Sequence, residues 1–148
     1  MPLTLSAHPP FDLTAVIQSH GWVQLPPFDF DAESETLRYV TRLSTGRVVA
    51  LTIRPAEDGV CVNLDANLDT SAQDEIARQV TWMLGLGQDL SPFYALVRRE
   101  PKLAQAEARA QGRLLRSPAL FTDVVKTILT TNTSWAGTIR MNERLIAH

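Results

Sequence analysis

The hydrophobic period changes once along this chain, and that change restricts the fold more than any motif does. Between residues 37 and 64 the apolar side chains alternate. Leu37, Tyr39, Thr41 and Leu43 form one run, Val49, Leu51 and Ile53 a second, and Val60, Val62 and Leu64 a third. Ser44-Thr45-Gly46 and the acidic Glu57-Asp58-Gly59 separate the runs. A period of two with short turns describes an antiparallel meander with one covered face. After residue 70 every apolar run follows a spacing near 3.6, which fits helices and no strand. The expected fold class is therefore α+β, an antiparallel sheet with covering helices followed by the first helices of an all-α unit.

Segments outside the meander follow from local chemistry. Residues 3–7 read as a short first strand, and residues 11–22 as a helix that buries Leu13, Val16 and Ile17 and stops at Gly21. The adjacent Pro26-Pro27 makes residues 23–31 a turn region, because proline resists both helix and central strand. Residues 70–84 form the covering helix, capped by Thr70 or Ser71, with Ile76, Val80, Met83 and Leu84 as its stripe and Gly85 and Gly87 at its end. A short helix begins at Ser91-Pro92, and an Ala-rich polar one is expected over residues 102–110. Ser117-Pro118 should start the strongest helix, with apolar positions Leu120, Phe121, Val124, Val125, Ile128 and Leu129. Trp135, Ile139, Met141, Leu145 and Ile146 belong to a last helix that runs to His148, with Trp135 anchoring it in the core. The domain division is expected at 1–88 and 89–148.

Composition excludes several chemistries. Cys61 is the single cysteine among 148 residues, which leaves no internal disulfide and no thiolate-rich metal site within the chain. His8, His20 and His148 are too dispersed to suggest a metal pair, so neither metal nor cofactor is expected. Gly85-Leu86-Gly87 follows a helix and lacks the further glycines or Gly-Lys-Ser/Thr of a phosphate loop. No Ser/His/Asp set can be assembled, and no catalytic residue is assigned. No run is long and apolar enough for a membrane span, and the first residues lack a secretory pattern, so the expected location is cytoplasmic.

The net charge of −2 conceals a division. Residues 1–97 hold five Arg against twelve Asp and Glu, a net of −7, whereas residues 98–148 hold nine Lys and Arg against four acids, a net of +5. Such asymmetry fits a polyanion partner for the second part, or two solvated faces of opposite sign. Within the basic part, Thr130-Thr131-Asn132-Thr133-Ser134 places five small polar residues between two apolar helices. A capped helix corner accounts for some of them. Hydroxyls, an amide and the backbone N–H groups of the next helix start also suit phosphate oxygens and base edges. Arg113, Arg116, Lys126 and Arg140 are close in sequence.

The stretch "GRLLRSPALFTDVVKTILTTNTSWAGTIRM" resembles the opening helices of the helix–hairpin–helix DNA glycosylases, the superfamily of 8-oxoguanine and 3-methyladenine DNA glycosylases. "MLGLGQDLSPFYAL" resembles their interdomain linker, and "HGWVQLPPFDFD" with the meander resembles their TBP-like N-terminal domain. The resemblance implies a base-excision repair role, with double-stranded DNA carrying a damaged base as partner. The polar turn would face the minor groove, and Asn132 would match the residue that fills the gap left by an extruded base. Thr131, Asn132, Thr133, Ser134, Arg113, Arg116, Lys126 and Arg140 are the implied DNA-binding residues. Gly137 stands where enzymes reading an orphaned cytosine carry Arg. The family's hairpin, catalytic Asp and Lys nucleophile do not occur among these residues. The implied role is thus an N-terminal portion, inactive alone and self-associating through residues 115–148. The alternative is a non-catalytic module of the same fold that binds DNA or protein.

Overall fold

The computed structural model describes residues 2–147, so His148 lies outside the described residues. Five antiparallel strands make one sheet in the order β1-β5-β4-β3-β2. They are β1 (Leu3–Ser6), β2 (Asp29–Asp31), β3 (Thr36–Arg42), β4 (Val48–Ala56) and β5 (Gly59–Leu64). Register follows the alternation: Ile53 lies opposite both Leu37 and Val62, and Leu51 opposite both Tyr39 and Leu64. Every apolar member of these rows falls on one face. Helices α1 (Leu13–Ile17) and α2 (Thr70–Leu84) cover that face, where Ile17, Ile53, Val62, Ile76 and Val80 are fully buried. The opposite face carries exposed Arg38, Val40, Arg42, Val48 and Arg54.

Several local expectations are corrected. Residues 29–31, expected as part of a turn, form edge strand β2. There the Asp31 carboxylate accepts from Glu33 N–H and Ser34 Oγ–H and turns the chain into β3. Helix α1 ends at Ile17, and Gly21 is no left-handed stop but the first residue of a 3₁₀ turn, Gly21–Gln24. Asp69, not Thr70 or Ser71, caps α2 by accepting from Ala72 N–H at 2.8 Å. Gly85 ends α2 in the left-handed conformation at φ 61°, as the sequence indicates.

Beyond α3 (Ser91–Val97), residues 102–110 form no α-helix. A 3₁₀ turn at Pro101–Leu103 and further turns are held by the bidentate Arg98–Glu107 pair and by Tyr94 Oη–H donating to Gln111 O at 2.8 Å. Ala-rich composition favours helix, but those cross-links bend the segment back on α3 to bury Ala106 with Tyr94 and Val97. Helix α4 (Leu120–Ile128) starts at Leu120, because Ser117 is buried and its N–H is taken by the Asp123 carboxylate at 3.0 Å. Helix α5 (Trp135–Ile146) follows. Among the described residues no helix is long and apolar enough to cross a membrane. Nor do these residues form a group of three or more His, Cys, Asp or Glu able to hold a metal ion.

Candidate nucleic-acid interface

The chain reverses between α4 and α5 through residues 129–134. The last α4 carbonyls take hydroxyl donors: Thr130 Oγ–H bonds to Thr127 O and Thr131 Oγ–H to Ile128 O, each at 2.7 Å. Ser134 caps α5 by accepting from Gly137 N–H at 3.2 Å. Three of the polar residues thus serve the corner itself. Asn132 and Thr133 are different: both are exposed, and neither side chain makes a hydrogen bond among the described residues. Asn132 sits at φ 52°, a conformation that Asn tolerates better than other side-chain-bearing residues. It therefore has a backbone reason for its identity as well as an unspent amide.

The backbone of the corner is equally open. From Asn132 to Ala136 no main-chain N–H donates to a carbonyl, and the first such bond beyond the corner is Thr138 N–H to Ser134 O at 2.9 Å. The donors of Ser134, Trp135 and Ala136 open α5 at its positive end and suit anionic oxygen. A Cβ on Gly137 would overlap Thr133 Oγ1, so a side chain at this position would require Thr133 to move.

The predicted basic residues do not all join this surface. Arg140 is exposed on α5, about 8 Å of helical rise from the first residue of that helix. Arg116 lies at the other end of α4, with its guanidinium 4.5 Å from the Trp82 ring centroid beside Arg78. Arg113 and Lys126 are only 1% exposed, and both are corrected here. Arg113 donates four of its five N–H groups to carbonyls, those of His8, Pro10, Gly85 and Gln88, whose dipoles compensate its buried charge and hold the side chain away from solvent. Lys126 Nζ donates to Ser117 Oγ at 3.1 Å and sits 4.6 Å from the Phe28 ring centroid. Burial pushes its pKa down to about 8, with Asp123 partly opposing the shift.

Residues without any sequence signal complete the arrangement. Trp22 Nε1–H donates to Asp123 Oδ1 at 2.8 Å, and Trp135 Nε1–H donates to Gln24 Oε1 at 2.9 Å. The Trp135 ring lies directly on Gly21, where any Cβ would collide with it. Trp135 is still 37% exposed, so it anchors α5 on the 3₁₀ turn rather than in the core as expected. These partners are more than 100 positions apart, and no local spacing reveals them.

No family model matches the chain, and no curated protein matches it either. Among solved structures it is similar to the 3-methyladenine DNA-glycosylase from Archaeoglobus fulgidus, with a TM-score of 0.70 and 19% identity. The superposition covers 96% of this chain and 48% of that one, so the chain spans about half the length of the glycosylase. At that identity the likeness shows a fold: a five-stranded antiparallel sheet with helices, arranged as in a DNA glycosylase.

Proposed function

We propose that this chain supplies the DNA-engaging part of a DNA N-glycosylase that removes damaged bases in base-excision repair. The observation that carries the proposal is the α4–α5 corner. An unspent Asn amide projects at its apex, beside the free backbone donors of Ser134, Trp135 and Ala136 at the start of a helix. Phosphate oxygens would accept from those donors, with Arg140 adding charge. The Asn132 amide, both donor and acceptor, would occupy the gap of an extruded nucleotide and satisfy its orphaned partner. On this proposal residues 1–88 are the supporting unit and residues 89–148 open the helical unit. Glycosidic bond cleavage would draw on groups other than these residues.

The test is fluorescence anisotropy of the chain with two duplexes, one intact and one bearing a stable abasic-site analogue. Binding should be tighter to the abasic duplex and should weaken as salt rises. Replacing Asn132 should remove the preference while leaving binding to intact duplex nearly unchanged. Equal affinity of the wild-type chain for both duplexes, or no binding at low salt, would refute the proposal.

A further inference from the structure

No apolar side chain of α4 or α5 belongs to either apolar cluster or to the apolar side chains packed against them, although Lys126 of α4 reaches the Phe28 ring. Leu120, Phe121, Val124, Ile128 and Leu145 are instead exposed by 46–77%. Hydrophobic burial is non-directional and here contributes little to where the helix pair sits. Directional contacts must set the height and rotation of the corner between the helices. Two of them come from one short element, the 3₁₀ turn Gly21–Gln24.

That turn holds both helices, α4 near its start and α5 at its first residue, where that helix leaves the corner. Asp123, in the first turn of α4, accepts from the Trp22 indole, while Trp135, the first residue of α5, donates its indole N–H to Gln24. Two anchors on different helices restrict rotation as well as translation, which a single contact does not. The clamp is itself held still. The Trp22 ring packs on the main core and stacks with His20 at 5.0 Å, and the turn contacts edge strand β2. Gly21 completes it, because only a residue without Cβ admits the Trp135 ring onto the backbone.

We infer that Trp22 and Gln24, in the sheet unit, are positioning residues that set the geometry of the Asn132 corner. The consequence for DNA rests on the function proposed above. The sheet unit then acts in lesion reading without touching DNA, by fixing how far Asn132 and the free amides project. A corner loosened by one lost hydrogen bond still binds phosphates but no longer holds its apex in register with a gap in the base stack.

The experiment compares Gln24→Met, which removes the acceptor at similar volume, with Gln24→Glu, which keeps an acceptor oxygen. One readout is amide hydrogen exchange at residues 137–140 together with exchange of the Trp135 indole N–H. The other is the ratio of affinities for abasic and intact duplexes, in which the added charge of the Glu variant cancels. Gln24→Met should speed exchange about fivefold and lower the ratio by about the same factor, the factor that one hydrogen bond represents. Exchange in α2 should not change, and Gln24→Glu should stay within about twofold of wild type in both readouts. Unchanged exchange in Gln24→Met, or a Glu variant as impaired as the Met variant, would overturn the inference. A wild-type chain without abasic preference removes the proposed function, and the exchange readout then decides the clamp by itself. If exchange responds while an existing wild-type preference does not, the clamp is structural only and the positioning role fails.

Discussion

Arg113→Met separates a structural cation from a DNA-binding one. The wild-type guanidinium donates to Gly85 O at 3.0 Å, Pro10 O at 2.7 Å, Gln88 O at 2.9 Å and to His8 O. Two of these carbonyls belong to the segment entering α1 and two to the exit from α2, so one side chain ties the chain's start to the end of the covering helix. Each such bond contributes about 1 kcal/mol net, somewhat more for a charged donor. Methionine fills the space and removes the desolvation cost of the cation, which offsets part of the loss. The expected net destabilisation is about 3–4 kcal/mol, in the range for a broken buried polar network. In a domain of this size that lowers the melting temperature by roughly 10 °C. Arg113→Lys should recover less than half, because an ammonium cannot span four carbonyls with a planar fork. Urea unfolding gives the free energies, and anisotropy well below the melting temperature gives the DNA affinity of the folded variant. A loss of stability under about 1 kcal/mol would refute the network assignment. Weakened DNA binding by the folded Met variant would instead return Arg113 to the DNA surface.

Lys126 makes stability depend on pH in a definite direction. Its folded-state pKa is near 8 against an ordinary 10.5, so above about pH 8 the unfolded chain holds more protons and stability rises with pH. Tyr39 and Tyr94, both pushed up by burial, act oppositely above about pH 10, so urea midpoints should climb between about pH 8 and 9.5. Lys126→Met should flatten that climb, and an equally steep climb in the variant would reject the buried-lysine account. Asn132→Gly should change stability by under about 0.5 kcal/mol, whereas Asn132→Ala should cost about 1 kcal/mol for its left-handed φ of 52°. Both should lose abasic preference, and thermal melts beside anisotropy distinguish the backbone contribution from the amide's. The exposed face formed by Leu120 (69%), Phe121 (77%) and Ile128 (62%) should drive concentration-dependent association in sedimentation velocity. Phe121→Asp with Ile128→Asp should restore the monomer, and a wild-type chain that stays monomeric at about 100 µM would refute association through this face.

What could be read from the sequence was local. Alternation from Leu37 to Leu64 specifies the pleated face, because a strand has no other way to bury every second side chain. The spacing of Ile76, Val80, Met83 and Leu84 specifies the helix over it, and Gly85 its end. Asn132 as an exposed apex also follows from neighbouring residues. Where local preference met tertiary cross-links it failed, as at residues 102–110, bent by Arg98–Glu107 and Tyr94. The site divided along the same line. The polar run Thr131–Ser134 is visible in sequence, but which of its side chains serve the corner itself, Thr131 and Ser134, is not. The count of basic residues did not separate the buried Arg113 and Lys126 from the half-buried Arg116 and the exposed Arg140. A basic side chain looks alike in sequence whether it meets solvent or carbonyls. The His8 and Pro10 carbonyls that capture Arg113 lie more than 100 residues away, as do the Trp22 and Gln24 partners of the corner. Sequence determined the alternating strands and the covering helix, since their periods arise within a few residues. Only the tertiary structure decided which cations were buried and what holds the corner, because those depend on polar groups that meet after the chain has closed on itself.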